Sequence, residues 1–433
     1  MNGELTQILN VLNTLWNVFK NWWWVLVPFL LCRPFLFLWL WWRRELCAAK
    51  RRFVLLEIKM PREVLKPLRA MEQVFSSFWG DVYGPPDWWK KWIDGETLPS
   101  FSLEIVSIGG EPHFFIRILE VDRNAIESII YSQYPDAEIS VADDYAKKVP
   151  QDIPNTNWDL WGCDFQMLKE DVYPIKTYPQ FFEERPEAAK EEKRLDPLSM
   201  LLEGMTKLGS GEQLWVQITA TPITNAENNY VDRGKALVNK LVKRPEKPVL
   251  KPIIQEAIET VISGPSAEPE APKEMLPPEM RLTAGEREVV SAIENKVSKY
   301  GFLSFMRFIY LGKRDVFFKP QVKLGFSFSS QFGTTNLNGL KPLKETSCLI
   351  PKSWFLPKNL ILNRREYLRK RKIFRNYVSR LSPFFPRSGG TFILDTEELA
   401  TLYHFPGIAV APSPIISRVE TKKREAPPGL PTE

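Results

Sequence analysis

FSLEIVSIGGEPHFFIRILEV, residues 101–121, alternates apolar and polar side chains through two runs joined by Gly109 and Gly110. Two strands and a tight turn are the economical reading, because glycine supplies the positive φ that a two-residue hairpin turn needs. Upstream, FVLLEIKMP (53–61) is a short apolar run closed by Pro61 and reads as another strand. Between the two, Leu68, Met71, Phe75 and Phe78 recur at helical spacing before Gly80, which gives a helix with one packing face. Downstream, Asp122 is placed to cap a helix striped by Ile126, Ile129 and Ile130, and Ala137, Ile139 and Val141 alternate in a last strand. The order β-α-β-β-α-β is the split pattern of a ferredoxin-like sandwich, so the chain is expected to be α+β with such a module over residues 52–145.

Outward from this module the pattern is looser. Residues 146–211 read as a linker and helical connection, and a second α/β module is expected over 212–390. Its strand is EQLWVQITATPI from Glu212 and its helix KALVNKLV from Lys235. Residues 243–281 are rich in Pro, Glu and Lys and poor in aromatics, the composition of an insertion without a core, with one short helix at 253–262. Order resumes where Thr283 and Glu286 take capping-box spacing, Val290, Ile293 and Val297 make a stripe, and Gly301 precedes the strand FLSFMRFIYLG. The element order suggests a duplicated ferredoxin-like unit, although no repeat is visible in the residues themselves.

Toward the amino end, residues 1–21 read as an amphipathic segment leading into WWWVLVPFLLCRPFLFLWLWW, residues 22–42. As a helix this run is about 30 Å long, enough to cross the hydrocarbon core of a bilayer. Arg33 costs about 2.5–3.5 kcal/mol there, but a dozen apolar side chains at about 0.3–0.6 kcal/mol each outweigh it. Arg43, Arg44, Lys50, Arg51 and Arg52 follow the run while only Lys20 closely precedes it. That asymmetry predicts a single-pass protein of the inner (cytoplasmic) membrane, with the amino end outside and the bulk of the chain in the cytoplasm. The tryptophans at both ends suit the two membrane–water interfaces.

Known catalytic patterns are missing. No GxxxxGK[ST] or GxSxG occurs, there are two histidines, His113 and His404, and the four cysteines are far apart without a CxxC pair. No catalytic residue, cofactor or metal site is therefore assigned, and the chain is expected not to be an enzyme. Trp88, Trp89 and Trp92 beside Lys90 and Lys91 suit a core or subunit contact, a stacked base or a lipid interface, and the first is preferred.

The densest charge lies in NRREYLRKRKIFRNYVSRL. There Arg364, Arg365, Arg369, Lys370, Arg371, Lys372, Arg375 and Arg380 surround apolar residues at helical spacing. Such a helix offers its basic face to nucleic acid, to anionic lipid, or only to water. At the carboxyl end, FILDTEELATLYHFPG reads as a strand, then a helix capped by Thr396 and stopped at Pro406, with a Pro-rich extended tail in the 391–433 segment. Glu397, Leu399, His404 and Pro406 are the candidates there for docking a partner.

From residue 53 onward the chain resembles one family. FVLLEIKMPREVLKPLRAMEQVF, SLEIVSIGGEPHFFIRI, IYSQYPDAEI, EEKRLDPLSMLLEGMTKL, AIENKVSKYGF, NLNGLKP, RKRKIFRNY and above all FILDTEELATLYHFPG are similar to an uncharacterised membrane-linked domain of candidate-phylum bacteria and some archaea. In that family the domain stands beside, or is fused ahead of, a conjugative DNA-transfer ATPase of the type IV coupling class. The resemblance implies a non-catalytic accessory subunit of a DNA-translocation or type IV secretion-like machine, docking a separate ATPase at the membrane, with DNA and further copies of itself as additional partners. A membrane scaffold unrelated to nucleic acid is the alternative. The family has no assigned catalytic residue, so none is carried over.

Overall fold

The computed structural model describes residues 2–61, 66–181, 196–242, 282–350, 361–385 and 387–406. It comprises two units, one of residues 1–52 with 84–98 and one of residues 53–83 with 99–433. The expected features at 243–281 and beyond residue 406 lie outside the described residues.

In the first unit, helix α1 (Asn2–Lys50) runs unbroken for 49 residues through Pro28 and Pro34. The expected 1–21 segment and 22–42 span are thus parts of one helix. Its stretch from Lys20 to Lys50 has a mean hydropathy of 1.8 and none of its apolar window is buried, so it is long and apolar enough to cross a membrane. The segment 84–98 contains a turn of wide helix, Lys90–Asp94, and Gly95 in the left-handed region at φ 73°. A Cβ on Gly95 would stand 2.4 Å from the Arg43 carbonyl carbon, so the two backbones approach as closely as glycine allows. Trp39 Nε1 donates to the Trp92 carbonyl at 3.2 Å, Arg43 donates to the Ile93 carbonyl, and Arg43 pairs with Asp94 at 3.5 Å.

The second unit is built on one nine-stranded sheet. Its strands are β1 (Phe53–Lys59), β2 (Phe101–Ile108), β3 (Glu111–Leu119), β4 (Glu138–Val141), β5 (Trp158–Met167), β6 (Glu212–Ile223), β7 (Gly301–Lys313), β8 (Leu340–Pro342) and β9 (Phe392–Asp395). They lie in the order β4-β1-β3-β2-β6-β7-β5-β8, with β9 added on β7, and every pairing is antiparallel. The helices are α2 (Arg69–Val82), α3 (Arg123–Gln133), α4 (Ser199–Thr206), α5 (Tyr230–Val242), α6 (Ala284–Ser298), α7 (Lys323–Ser330), α8 (Ile361–Val378) and α9 (Thr396–Leu402). A mixed α+β fold is what the patterns predict.

The hairpin forms where expected, with Gly109 and Gly110 at φ 61° and 96°. On α2, Met71, Phe75 and Phe78 are buried, and Phe78 meets Phe101 of β2 edge-on at 5.6 Å. Each such ring contributes about 1.5–3 kcal/mol by leaving water. Thr283 and Glu286 form the expected capping box ahead of α6.

Four expectations are corrected. Residues 146–211 are not only a linker, because they contain β5, and the two halves are not separate modules. β2 pairs with β6 from Phe101↔Ala220 to Ile108↔Gln213, which merges both halves into one sheet over a shared core. Asp122 closes a short 3-10 turn and makes no capping bond to α3. Helix α9 is capped by Asp395 rather than Thr396, in a capping box with Glu398. A fifth expectation is only narrowed, because Trp88 and Trp89 are 68% and 62% exposed, which removes the core role and leaves a subunit contact.

Candidate functional site

Sequence reading proposed two surfaces, and the structure treats them differently. Helix α8 carries the basic cluster. At about 100° per residue, Arg364, Arg365, Arg371, Lys372 and Arg375 share one face, and all five are exposed. Leu368, 53% exposed, lies within the same face, with Tyr367 beside it. The opposite face, with Ile373, Phe374 and Tyr377, is buried against the sheet, which is why the apolar residues recur every three to four positions.

Three of the eight candidate cations, Arg369, Lys370 and Arg380, are turned inward. Arg369 donates to the carbonyls of Ser347 at 2.8 Å and Lys344 at 3.2 Å, tying α8 to the loop after β8. Lys370 pairs with Asp159 of β5 at 2.9 Å and with Glu366 at 3.0 Å. Burial pulls the Lys370 ammonium down, but the two carboxylates outweigh it and hold it above its usual value. Arg369 and Lys370 fasten the helix, and five of the eight cations remain exposed.

Beneath α8 lies a row of polar side chains on four neighbouring strands. Glu104 of β2 faces Gln217 of β6, Gln217 faces Arg307 of β7, and Arg307 faces Asp164 of β5. All four are buried, and Arg307 Nε donates to Asp164 at 2.6 Å. Arg380, just past α8, donates to Glu104 at 3.0 Å and to Asp144 at 2.7 Å. Burial would push the Glu104 carboxyl up, but the charge of Arg380 and hydrogen bonds from Arg380, Ser102 and Tyr145 hold it below its usual value. Arg117, stacked 3.8 Å over the Phe53 ring, is drawn down to about 10 by burial and by the charge of Arg380. Burial and the Glu104 charge raise the Tyr145 and Tyr377 hydroxyls, which bond each other at 2.7 Å. Sequence reading had counted Arg380 among the cations of the basic helix, whereas the structure buries it here, paired with Glu104 and Asp144.

The carboxyl-terminal candidates are interior. Glu397, Leu399, His404 and Pro406 are all buried. Glu397 pairs with Lys299, and His404 bridges the Ala400 carbonyl and Asp196, each at 2.9 Å. The physical reason is β9, which pairs with β7 from Gly301↔Asp395 to Ser304↔Phe392 and draws α9 into the core. All seven residues of α9 are buried. A cavity of about 610 Å³ lies beside it, between α6 and the loop at 174–180, and Asp395 and Glu397 are among the residues that line it. Among the described residues no group of three or more His, Cys, Asp or Glu side chains is placed to hold a metal ion.

Compared with models of known protein families and with curated proteins, the chain matches none.

Proposed function

We propose that the chain is a membrane-anchored, non-catalytic subunit that binds a polyanion, DNA in the translocation setting its sequence resembles, through the exposed face of α8. The observation that carries this reading is the division of labour on the helix. Arg369 and Lys370 are consumed by internal contacts, while Arg364, Arg365, Arg371, Lys372 and Arg375 stand exposed together. They span about 16 Å of helix at ~1.5 Å per residue, a length over which duplex DNA offers a phosphate about every 1.7 Å. Anchoring by α1 would tether the chain to a membrane, and a separate ATPase would dock on surfaces other than the buried α9.

The strand order supports a finer view of the fold, which we also propose. The order β4-β1-β3-β2 is mirrored across the β2–β6 ladder by β8-β5-β7-β6. Each half then reads as strand, helix, two strands, helix, strand, the ferredoxin-like pattern, with α5 and α6 expanding the second hairpin.

The test is retention of duplex DNA by the full chain in lipid nanodiscs across a salt series. Affinity should fall linearly in log salt, by about 0.9 decades per decade of salt for each phosphate neutralised. Replacing the five exposed cations by Gln should flatten that slope. An absent or salt-independent interaction sinks the proposal. It would favour a membrane scaffold unrelated to nucleic acid, a reading that the exposed Leu368 and Tyr367 support, since apolar and aromatic side chains suit a protein contact better than a phosphate.

A further inference from the structure

The segment 84–98 is inserted in sequence between α2 and β2, yet it packs on α1 at the end where the apolar run gives way to Arg43 and Arg44. Contacts fix its level along the helix. Trp92 meets Trp39, Ile93 and Asp94 meet Arg43, and Thr97 accepts from Arg51 at 3.2 Å. Trp39 to Arg43 is the stretch that holds the second tryptophan belt of the span, and so the stretch that meets the headgroups. At this level the segment exposes Trp88 and Trp89, their rings 6.1 Å apart, followed directly by the exposed Lys90 and Lys91.

Two adjacent exposed indoles are unfavourable against water, and indole is the side chain best suited to the boundary between acyl chains and headgroups. Lysines beside them complement the negative surface of a leaflet that carries acidic lipids. Gly95 lets the segment lie flush on α1, where any side chain would collide with the Arg43 backbone.

We infer that residues 84–98 form a second membrane contact, in which Trp88 and Trp89 enter the interfacial layer of the bilayer that α1 crosses, and Lys90 and Lys91 meet its acidic headgroups. The inference rests on the reading of α1 as a membrane span. Its occupant is a lipid surface, chosen over a protein partner because the segment that carries the patch is bonded to the tryptophan belt of α1 through Trp39 and Trp92, beside the exposed Trp41 and Trp42.

The experiment uses the full chain carrying Cys32→Ser and Cys47→Ser, with one environment-sensitive fluorophore attached through Asp87→Cys or Leu36→Cys. Cys163 and Cys348 are buried and stay unlabelled in the folded protein. The probe is a vesicle of phosphatidylcholine and phosphatidylglycerol with lipids spin-labelled near the headgroup or near the chain end. Position 87 should be quenched at least twofold more by the shallow label than by the deep one, and position 36 more by the deep one. Trp88→Ser with Trp89→Ser should reduce the quenching at 87 severalfold and leave that at 36 unchanged. Quenching at 36 with none at 87 overturns the inference and leaves the span standing. Absence of quenching at both positions removes the span and the inference with it. A blue shift at 87 without quenching means that a second copy covers the tryptophans, and also overturns it.

Discussion

Glu104 on β2 and Arg380 just past α8 are 276 residues apart in sequence and 3.0 Å apart in the structure, inside a core with almost no access to water. Arg380 is also the one non-glycine residue with positive φ among the described residues, at 53°. The guanidinium thus holds the backbone in a conformation that an L-residue reaches at a cost of roughly 1–2 kcal/mol. Arg380→Met should destabilise the folded unit by about 3–5 kcal/mol, because Glu104 is left buried and unpaired. Adding Glu104→Gln should return part of that loss. The measurement is the denaturant dependence of thiol labelling at Cys163, which is buried until the sheet opens.

Acid should act through the same residue. A carboxyl held below its unfolded value of about 4.5 binds a proton less readily when folded. Its contribution to stability is therefore complete above pH 4.5 and lost as the pH falls below that through the folded value. Glu57, lowered chiefly by its hydrogen bond from His113 and resisted by its own burial, adds to the same limb. Unfolding free energy followed from pH 6 to pH 3 should drop steeply in its lower part, and Glu104→Gln should flatten that drop while lowering the plateau.

On α8, neighbouring cations should give opposite phenotypes. Lys370→Gln removes the tie to Asp159 and should cost about 1–3 kcal/mol of stability, leaving the salt dependence of polyanion binding unchanged. Arg371→Gln, one residue on, should leave stability within about 0.5 kcal/mol and reduce the salt slope by about 0.9. Paired unfolding and binding curves on both variants separate fastening from recognition.

Gly325 of α7 packs against the ring of Phe308, and a Cβ there would come within 2.6 Å of three ring atoms. Gly325→Ala should cost about 1–3 kcal/mol by overpacking, and Phe308→Leu in the same chain should recover some of it. Thermal unfolding of the two variants decides the point.

In the smaller unit, Gly95→Ala should lift the 84–98 segment off α1, since the new methyl meets the Arg43 backbone and the residue sits at φ 73°. Cleavage by trypsin after Lys90 and Lys91 should speed up severalfold, with the fragment pattern of the rest of the chain unchanged.

What was legible in the sequence was local. The hairpin at Gly109 and Gly110, the capping box of Thr283 and Glu286 and the strand before Lys313 depend on neighbours a few residues away. Strand β5 was missed because WDLWGCDFQM is buried on most of its length, so it shows no clean alternation. Its Asp164 looks like a surface residue until Arg307, 143 positions on, is brought to it. The basic helix was readable as a helix from its spacing, but nothing local told Arg369 and Lys370 from Arg371 and Lys372. Of the groups that consume Lys370, only Glu366 is close in sequence, while Asp159 is 211 residues away. The burial of Glu397, Leu399, His404 and Pro406 was illegible for the same reason, since the pairing of β9 with β7 is long-range.

Strands β6 and β7 remain in register up to Ile223↔Gly301, so whatever lies between those two residues departs from the sheet and returns to the same rung. Helices α5 and α6 close that excursion on themselves through Val238, Val242, Val290 and Ile293. The ladder is indifferent to how much chain is spliced in beyond Val242 and before Leu282, because loop closure costs only about 0.6 kcal/mol for each doubling of length. A fluorescent protein or an epitope grafted between Val242 and Leu282 should therefore leave the β6–β7 ladder and its register intact.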